Sequence, residues 1–285
     1  MDALTVFAPA KINLALKILR KRADGYHELQ TILQKISLYD EIELQLSPRQ
    51  GISVTTDDPA IPGDQSNLAY RAAQAFFQRT RIAAGAAIHL RKKIPPGAGL
   101  GGGSSDAAAV LTGLNKLLDC KLTANELTEL GLTLGADVPF FTYRGNTALA
   151  EGIGERLSPV TLHESFWALV LYPGFSVATA WAYRNYKILT NKINHIKLQN
   201  SIRDIHQLLP LMENDLEQVV IQQHPEIQKI KDDLIRAGAY GSLMSGSGSS
   251  VFGLFPDEKR AQQAVATLTR FPHQKVFIVQ SRAKD

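Results

Sequence analysis

Hydrophobic and polar positions alternate in parts of the first third of the chain, which is the pattern of half-buried β-strands. The alternation is clearest over residues 36–46. Residues 4–19 are mostly apolar and predict a strand that is interrupted at Pro9-Ala10-Lys11. Shorter strand patterns occur at 52–55, 88–90, 167–172, 251–255 and 275–280.

Helical spacing replaces the alternation in later segments. Apolar residues recur at intervals of three and four from Val110 to Leu118. Asn67 is placed to cap one helix, and Thr123 with Glu126 matches the capping box of another. Further elements are predicted as a strand at Phe140-Phe141 and a helix at 225–237.

This order of elements predicts an α+β fold, because strands dominate the start, helices dominate later and no regular strand–helix alternation is present. The change of pattern also predicts two domains, at 1–160 and 161–285. A length of 285 residues is enough for each domain to have its own core.

Composition and charge exclude several classes of protein. Hydrophobic residues make up 45% and charged residues 20%, which is typical of a globular protein. The formal net charge is only +4, so no nucleic-acid partner is expected. No stretch approaches the roughly 20 apolar residues of a membrane span, and a secretory signal is absent, so we expect a cytoplasmic protein. The single cysteine, Cys120, excludes a disulfide framework and a multi-cysteine metal site.

The glycine-rich stretch is the strongest chemical signal. It has five glycines within Gly97–Gly103, followed by Ser104 and Ser105 at the start of a helix. Glycine lets the backbone approach a ligand closely, and a helix N-terminus attracts anions, so we expect a phosphate site. The spacing also fits the dinucleotide fingerprint, although Asp119 falls at a helix end rather than after a strand. A nucleotide-dependent kinase and an NAD-dependent oxidoreductase therefore both stay open.

Lys11 and Asp137 are candidate catalytic residues. Lys11 interrupts an apolar strand, where a buried ammonium group requires a paired partner. Asp137 lies among small and apolar residues in a turn. Phosphoryl transfer uses a cation for the developing charge and a carboxylate that accepts the proton of the acceptor hydroxyl. Alternatively, each residue is a surface charge or half of a structural ion pair.

Three segments together resemble the signatures of the GHMP kinase superfamily, and they occur in the right order. They are PAKINLALKI from Pro9, PPGAGLGGGSSDAA from Pro95 and GSLMSGSGSSVFGLF from Gly241. Two further segments, RADGYHEL from Arg22 and LGADVPFF from Leu134, are similar to a branch of the superfamily that acts on a cytidylated sugar alcohol. The resemblance covers essentially the whole chain.

The resemblance implies two α+β lobes with the active site in the cleft between them. It implies ATP-dependent phosphorylation of the 2-hydroxyl of a cytidine diphosphate-linked methylerythritol, with Asp137 as the base and Lys11 as its charge partner. It implies no dedicated metal site, since Mg²⁺ would arrive with ATP and contact Ser104 or Ser105. A monomer or weak homodimer with a small-molecule substrate is expected, and a homoserine or mevalonate type of GHMP kinase is the alternative. The residues implied to bind ATP are Pro95, Pro96, Gly97, Ala98, Gly99, Leu100, Gly101, Gly102, Gly103, Ser104 and Ser105.

A cytidine site is also implied. Tyr26 would stack on cytosine and His27 would hydrogen-bond its edge. Tyr183 would supply the second stacking ring, with Trp181 and Tyr186 as nearby alternatives. The remaining implied substrate contacts are Asn13, Thr179, Gly246 and Ser247.

Overall fold

The computed structural model describes residues 3–47, 49–186, 195–198 and 201–281. Its strands and helices, numbered along the chain, confirm the predicted α+β class. The strands are β1 (Ala3–Lys21), β2 (His27–Ser47), β3 (Gly51–Thr56), β4 (Gly85–Arg91), β5 (Thr147–Gly152), β6 (Arg156–Pro159), β7 (Thr161–Leu162), β8 (Trp167–Tyr172), β9 (Ser201–Ile202), β10 (Ser242–Met244), β11 (Val251–Phe255) and β12 (Lys275–Gln280). The helices are α1 (Leu68–Thr80), α2 (Gly102–Leu117), α3 (Ala124–Leu132), α4 (Val138–Thr142), α5 (Thr179–Asn185), α6 (Ile205–Leu208), α7 (Glu217–Gln223), α8 (Glu226–Arg236) and α9 (Glu258–Val265).

Two local predictions were wrong, and both concern proline. β1 continues through Pro9 without interruption. Among the described strands it pairs with β2 alone, apart from an isolated bridge at Leu16, and a strand with only one neighbouring strand tolerates a residue that lacks an N–H. The Phe140-Phe141 segment is helical because Pro139 occupies the first turn of α4, where its fixed φ favours a helix.

The described residues divide into two compact units. The first comprises those within Met1–Ala10, Leu38–Pro96 and Gly101–Arg144. Here the second part of β2 pairs antiparallel with β4, and β4 pairs in parallel with β3. Helix α2 packs against α1, α3 and α4. Consequently the helix that follows the glycine-rich loop is held by three neighbouring helices.

The second unit comprises the described residues within Lys11–Ser37, Gly97–Leu100 and Gly145–Asp285. The first part of β2 pairs antiparallel with β5, and β5 pairs with β6. A separate antiparallel sheet has the strand order β10-β11-β8-β12. Helix α8 packs on β10 and β11 and buries the face that carries Ile227, Ile230 and Leu234. The domain boundary at residue 160 stays a prediction.

Within the described ranges, no helix is both long enough and apolar enough to cross a membrane.

Candidate active site

Lys11 and Asn13 share one face of β1 in the second unit, because side chains two residues apart point the same way along a strand. Both are 4% exposed. Lys11 Nζ donates to Asn13 Oδ1 at 2.6 Å and to the carbonyl oxygen of Gly99 at 2.9 Å. Asn13 Nδ2 in turn donates to Thr31 Oγ1 at 2.8 Å, and Thr31 Oγ1 donates to the carbonyl oxygen of Ala15. This chain of hydrogen bonds fixes the direction of the Lys11 ammonium group.

The loop between β10 and β11 contacts the same groups. Ser245 Oγ donates to the carbonyl oxygen of Gly99 at 2.9 Å and accepts from the N–H of Asn13 at 3.2 Å. Gly246 has a φ of +56°, and a Cβ added there would lie 3.3 Å from Lys11 Nζ. The second unit therefore brings together Lys11, Asn13, Gly99 and Gly246.

Thr179 and Ser247 form a second contact among the residues predicted to bind substrate. Their hydroxyl oxygens lie 3.0 Å apart. Thr179 begins α5, so the helix that carries Tyr183 is tied to the Ser247 loop at its first residue. The two hydroxyls can serve one ligand group from adjacent positions.

The glycine-rich loop needs glycine at the positions where it meets other backbone. Gly97, Gly99 and Gly101 have φ values of +63°, +76° and +73°. A Cβ at Gly97 would lie 2.7 Å from Ser176 Cβ, and a Cβ at Gly99 would collide with the carbonyl oxygen of Ser245. Side chains are thus excluded both by the left-handed backbone and by contacts.

The other residues of the loop hold its backbone. Pro95, Ala98 and Leu100 are buried, whereas Pro96 is exposed. The carbonyl oxygen of Ala98 accepts from the N–H of Ser250, and that of Leu100 accepts from the N–H of Lys11. This segment therefore has a defined position against both β1 and the loop that follows β10.

The first turn of α2 presents unsatisfied polar groups. Gly101 is the N-cap residue and, as a glycine, offers no side-chain acceptor to the first N–H groups of the helix. Ser105 Oγ is buried and has no hydrogen-bond partner in the part of the chain that the structure describes. Unpaired N–H groups and an orphaned hydroxyl are donors that a phosphate group satisfies. This end of α2 fits an anionic ligand.

A buried ion cluster lies beside the same turn. Lys92 Nζ contacts both Asp40 and Asp106, and the three side chains are at most 4% exposed. Asp40 Oδ1 also accepts from the N–H groups of Lys93 and Ile94 at 2.6 and 2.9 Å. Burial raises the pKa of Asp106 to about 7, despite the nearby ammonium group. For Lys92, the two carboxylates together outweigh the effect of burial and raise its pKa.

Asp137 immediately precedes α4 in the first unit. It occupies the N-cap position, but its side chain makes no capping hydrogen bond. It is partly exposed, and α4 packs against α2. The carboxylate oxygens are therefore not occupied by a capping bond to the helix that the residue precedes.

Aromatic side chains meet at the start of β2 in the second unit. The ring centroids of His27 and Tyr183 lie 5.4 Å apart with an interplanar angle of 30°. Tyr26 is 60% exposed, and its N–H donates to Asp24 Oδ1 at 3.1 Å. Burial, and secondarily the charge of Lys21, lowers the pKa of His27. The imidazole is accordingly neutral near pH 7 and offers one donor and one acceptor.

Trp181 and Tyr186, the alternatives to Tyr183, pack with it against the hydrophobic core of the second unit. Tyr186 is engaged elsewhere, since its hydroxyl bonds to Asp215. Burial, with a smaller effect of Asp215, raises the pKa of Tyr186 to about 12. Of the three rings, Tyr183 is the one whose described contacts include His27.

Family models match two segments of the chain. Residues 67–145 match the GHMP kinases N terminal domain, and residues 195–274 match the GHMP kinases C terminal domain. The 4-diphosphocytidyl-2-C-methyl-D-erythritol kinase of Citrifermentans bemidjiense is 47% identical over 270 residues, which cover 95% of this chain and 96% of that protein. The chain belongs to this family of GHMP kinases.

Other comparisons agree with this assignment. The enzyme of the same name from Geobacter sulfurreducens is 47% identical over 264 residues, or 93% of this chain and 94% of that protein. A crystal structure of 4-(cytidine 5'-diphospho)-2C-methyl-D-erythritol kinase matches with a TM-score of 0.79 and 36% identity over 97% of this chain and 99% of that one. The L. major mevalonate kinase, solved in complex with R-mevalonate, matches with a TM-score of 0.74 and 21% identity over 97% and 95% of the two chains. At that identity it shows the fold alone. This member of the family is an enzyme, a kinase.

Proposed function

We propose that this kinase phosphorylates the 2-hydroxyl of 4-diphosphocytidyl-2-C-methyl-D-erythritol and gives the 2-phosphate, in the non-mevalonate pathway of isoprenoid synthesis. The names of the relatives at 47% identity support this substrate. The observation on this chain that carries it is the ring pair of His27 and Tyr183 at 5.4 Å, next to the exposed Tyr26. A cytosine ring requires a flat apolar surface with donors and acceptors at its edge.

ATP, as Mg·ATP, supplies the phosphoryl group. The orphaned Ser105 Oγ and the uncapped first turn of α2 fit its phosphates. The backbone of residues 95–105 would hold the phosphates, because its glycines permit close approach. The hydroxyls of Ser104 and Ser105 are hard oxygen donors of the kind that Mg²⁺ accepts, and phosphate oxygens would complete its coordination.

Three side chains would act on the acceptor. Asp137 would take the proton of the 2-hydroxyl, since its carboxylate is partly exposed and makes no capping bond. The ammonium group of Lys11 would stabilise the negative charge that develops on the 2-oxygen when its proton is removed. Asn13 and Gly99 hold this ammonium group in place. Asn13 would also contact the sugar alcohol.

The substrate's other groups would meet the second unit. Tyr26 and Tyr183 would stack on cytosine, and the neutral His27 would bond to its edge. The hydroxyls of Thr179 and Ser247, 3.0 Å apart, and the backbone of Gly246 would contact the remainder. The two family segments lie on either side of residue 160, which supports the proposed division into an N-terminal and a C-terminal domain.

A coupled assay of ADP release tests the proposal. Mg·ATP is supplied with the cytidylated methylerythritol, with homoserine or with mevalonate, and each product is identified by phosphorus NMR. Turnover that requires the cytidyl group, with phosphate on the 2-hydroxyl, is the expected result. Turnover with another alcohol alone would refute the cytidine site, and ADP release with none of them would refute the proposed activity.

Replacing Tyr183 with alanine is expected to raise the KM for the cytidylated substrate about 5- to 150-fold, because one stacked base contributes about 1–3 kcal/mol. The KM for ATP should stay unchanged. Tyr240→Ala is a matched control, since Tyr240 pairs with His206 at 5.9 Å in the same unit and is assigned no ligand. Equal KM values for the two variants would remove Tyr183 from the cytidine site.

A further inference from the structure

The segment Glu213–Glu217 runs beside β1 in the second unit. The N–H of Leu16 donates to the carbonyl oxygen of Glu213 at 2.7 Å, and the N–H of Asp215 donates to that of Leu16 at 3.0 Å. Asp215 Oδ2 accepts from the N–H of Ile18 at 2.7 Å. The segment is therefore fixed to the strand that carries Lys11 and Asn13.

Asn214, in the middle of this segment, is 4% exposed. Its Nδ2 donates to the carbonyl oxygens of Met244 and Gly246, both at 2.8 Å. Its Oδ1 accepts from the N–H of Leu216 at 3.0 Å. One amide group thus holds the peptide carbonyls on both sides of Ser245.

The peptide groups of Met244 and Gly246 lie next to residues that we propose to act in phosphoryl transfer. Ser245 Oγ bonds to Gly99 and Asn13, and the Cα of Gly246 lies so close to Lys11 that an added Cβ would be 3.3 Å from Nζ. Any shift of this backbone changes the surroundings of the ammonium group. A misplacement of about 1 Å at an active site can lower a rate about 10²-fold.

We propose that Asn214 is a positioning residue, which holds the Ser245–Gly246 backbone against Lys11 and Asn13 and so supports phosphoryl transfer without touching substrate or nucleotide. Asparagine suits this role because its amide supplies two N–H donors to two carbonyls and an oxygen to one N–H. Aspartate has the same shape but turns a carboxylate oxygen toward two carbonyl oxygens. The kinetic part of this inference rests on the proposed function.

Two variants test the inference in the ADP-release assay. Asn214→Asp is expected to lower kcat about 10- to 100-fold, with KM for both substrates within about threefold of the wild-type values. Asn214→Ser retains one donor and should give an intermediate kcat. It replaces Asn214→Asp as the test if the aspartate variant does not fold. A kcat within about threefold of wild type in the variants would overturn the inference.

Two controls separate positioning from a general loss of stability. Asn115→Ala removes another asparagine that bonds to a backbone N–H and carbonyl, those of Leu122, in the first unit. Val279→Ala leaves a cavity in the second unit at a residue of β12 that is 1% exposed. Both should retain the wild-type kcat at a temperature where they are folded, whereas a similar loss of kcat in Val279→Ala would count against a specific role of Asn214.

Hydrogen exchange measures the loop without any turnover. The N–H groups of Ser245, Gly248 and Ser250 donate to the carbonyl oxygens of Ser250, Ser245 and Ala98, respectively. These bonds protect the three amides from exchange. In Asn214→Asp these amides should exchange at least about tenfold faster, and in Asn115→Ala at the wild-type rate. Unchanged exchange would overturn the inference. If the wild-type protein released no ADP, the proposed activity would be refuted, and the exchange rates would still decide whether Asn214 holds the loop.

Discussion

Replacing Asp137 with asparagine is expected to lower kcat by about 10²-fold or more, with little change in the affinity for ATP. Asparagine has the size of aspartate but cannot accept the proton of the acceptor hydroxyl at neutral pH. The native carboxylate makes no capping bond to α4, so the change removes no described contribution to that helix. Steady-state ADP release at saturating substrates measures kcat, and calorimetric titration measures nucleotide affinity.

Asp119→Asn is the matched control for this experiment. Asp119 lies in the same unit, its side chain is 86% exposed, and its φ of +45° suits asparagine as well as aspartate. We expect an unchanged kcat. The control also tests the dinucleotide interpretation of the glycine loop, under which Asp119 would bind ribose and Asp137 would have no role. Asp137→Asn activity within about threefold of wild type would remove Asp137 as the base.

Local chemistry made part of the fold predictable. Asn67 accepts from the N–H of Ala69 and starts α1, and Thr123 with Glu126 forms the predicted capping box of α3. These signals lie within a few residues, so the sequence displays them directly. The effect of Pro9 could not be predicted in this way. Whether a proline breaks a strand depends on whether a neighbouring strand needs its N–H, and that is a tertiary property.

The residues of the candidate site also fall into those that short segments reveal and those that only long-range contacts reveal. The glycine loops, Lys11 and Asp137 were identified from short segments and their resemblance to a family. The Lys92 cluster and Asn214 were not. Lys92 is 52 residues from Asp40, and Asn214 is 30 and 32 residues from the carbonyls that it holds. A charged residue flanked by apolar residues indicates burial. Asp40 lies between Tyr39 and Glu41, and Lys92 lies within a basic run, so neither position carries that signal.

Replacing Lys92 with methionine is expected to lower the free energy of unfolding by about 3–5 kcal/mol. Methionine fills most of the lysine volume, but it leaves the carboxylates of Asp40 and Asp106 buried without a cation. These side chains are 0% and 4% exposed, so water cannot replace the ammonium group. Urea unfolding at constant pH measures the change.

The loss of unfolding free energy caused by Lys92→Met should be greater at pH 8 than at pH 5. The folded-state pKa of Asp106 is about 7, above its ordinary value of 3.8, so between these values the folded chain holds a proton that the unfolded chain releases. Stability therefore falls as pH rises through this interval. Without Lys92 the pKa of Asp106 rises further, because an attractive charge is lost. The variant then loses additional stability at high pH, where the carboxyl group of Asp106 would otherwise ionise.

Lys93→Met is the matched control, because Lys93 is exposed and meets Asp40 only through its backbone N–H among the described contacts. Its effect should stay within about 0.5 kcal/mol. Adding Asp106→Asn to Lys92→Met should restore part of the lost stability. Asp40 keeps the N–H donors of Lys93 and Ile94, whereas Asp106 Oδ1 has no partner within the described residues. If Lys92→Met unfolded at the same urea concentration as Lys93→Met at pH 8, the ion cluster would contribute nothing to the stability of the fold.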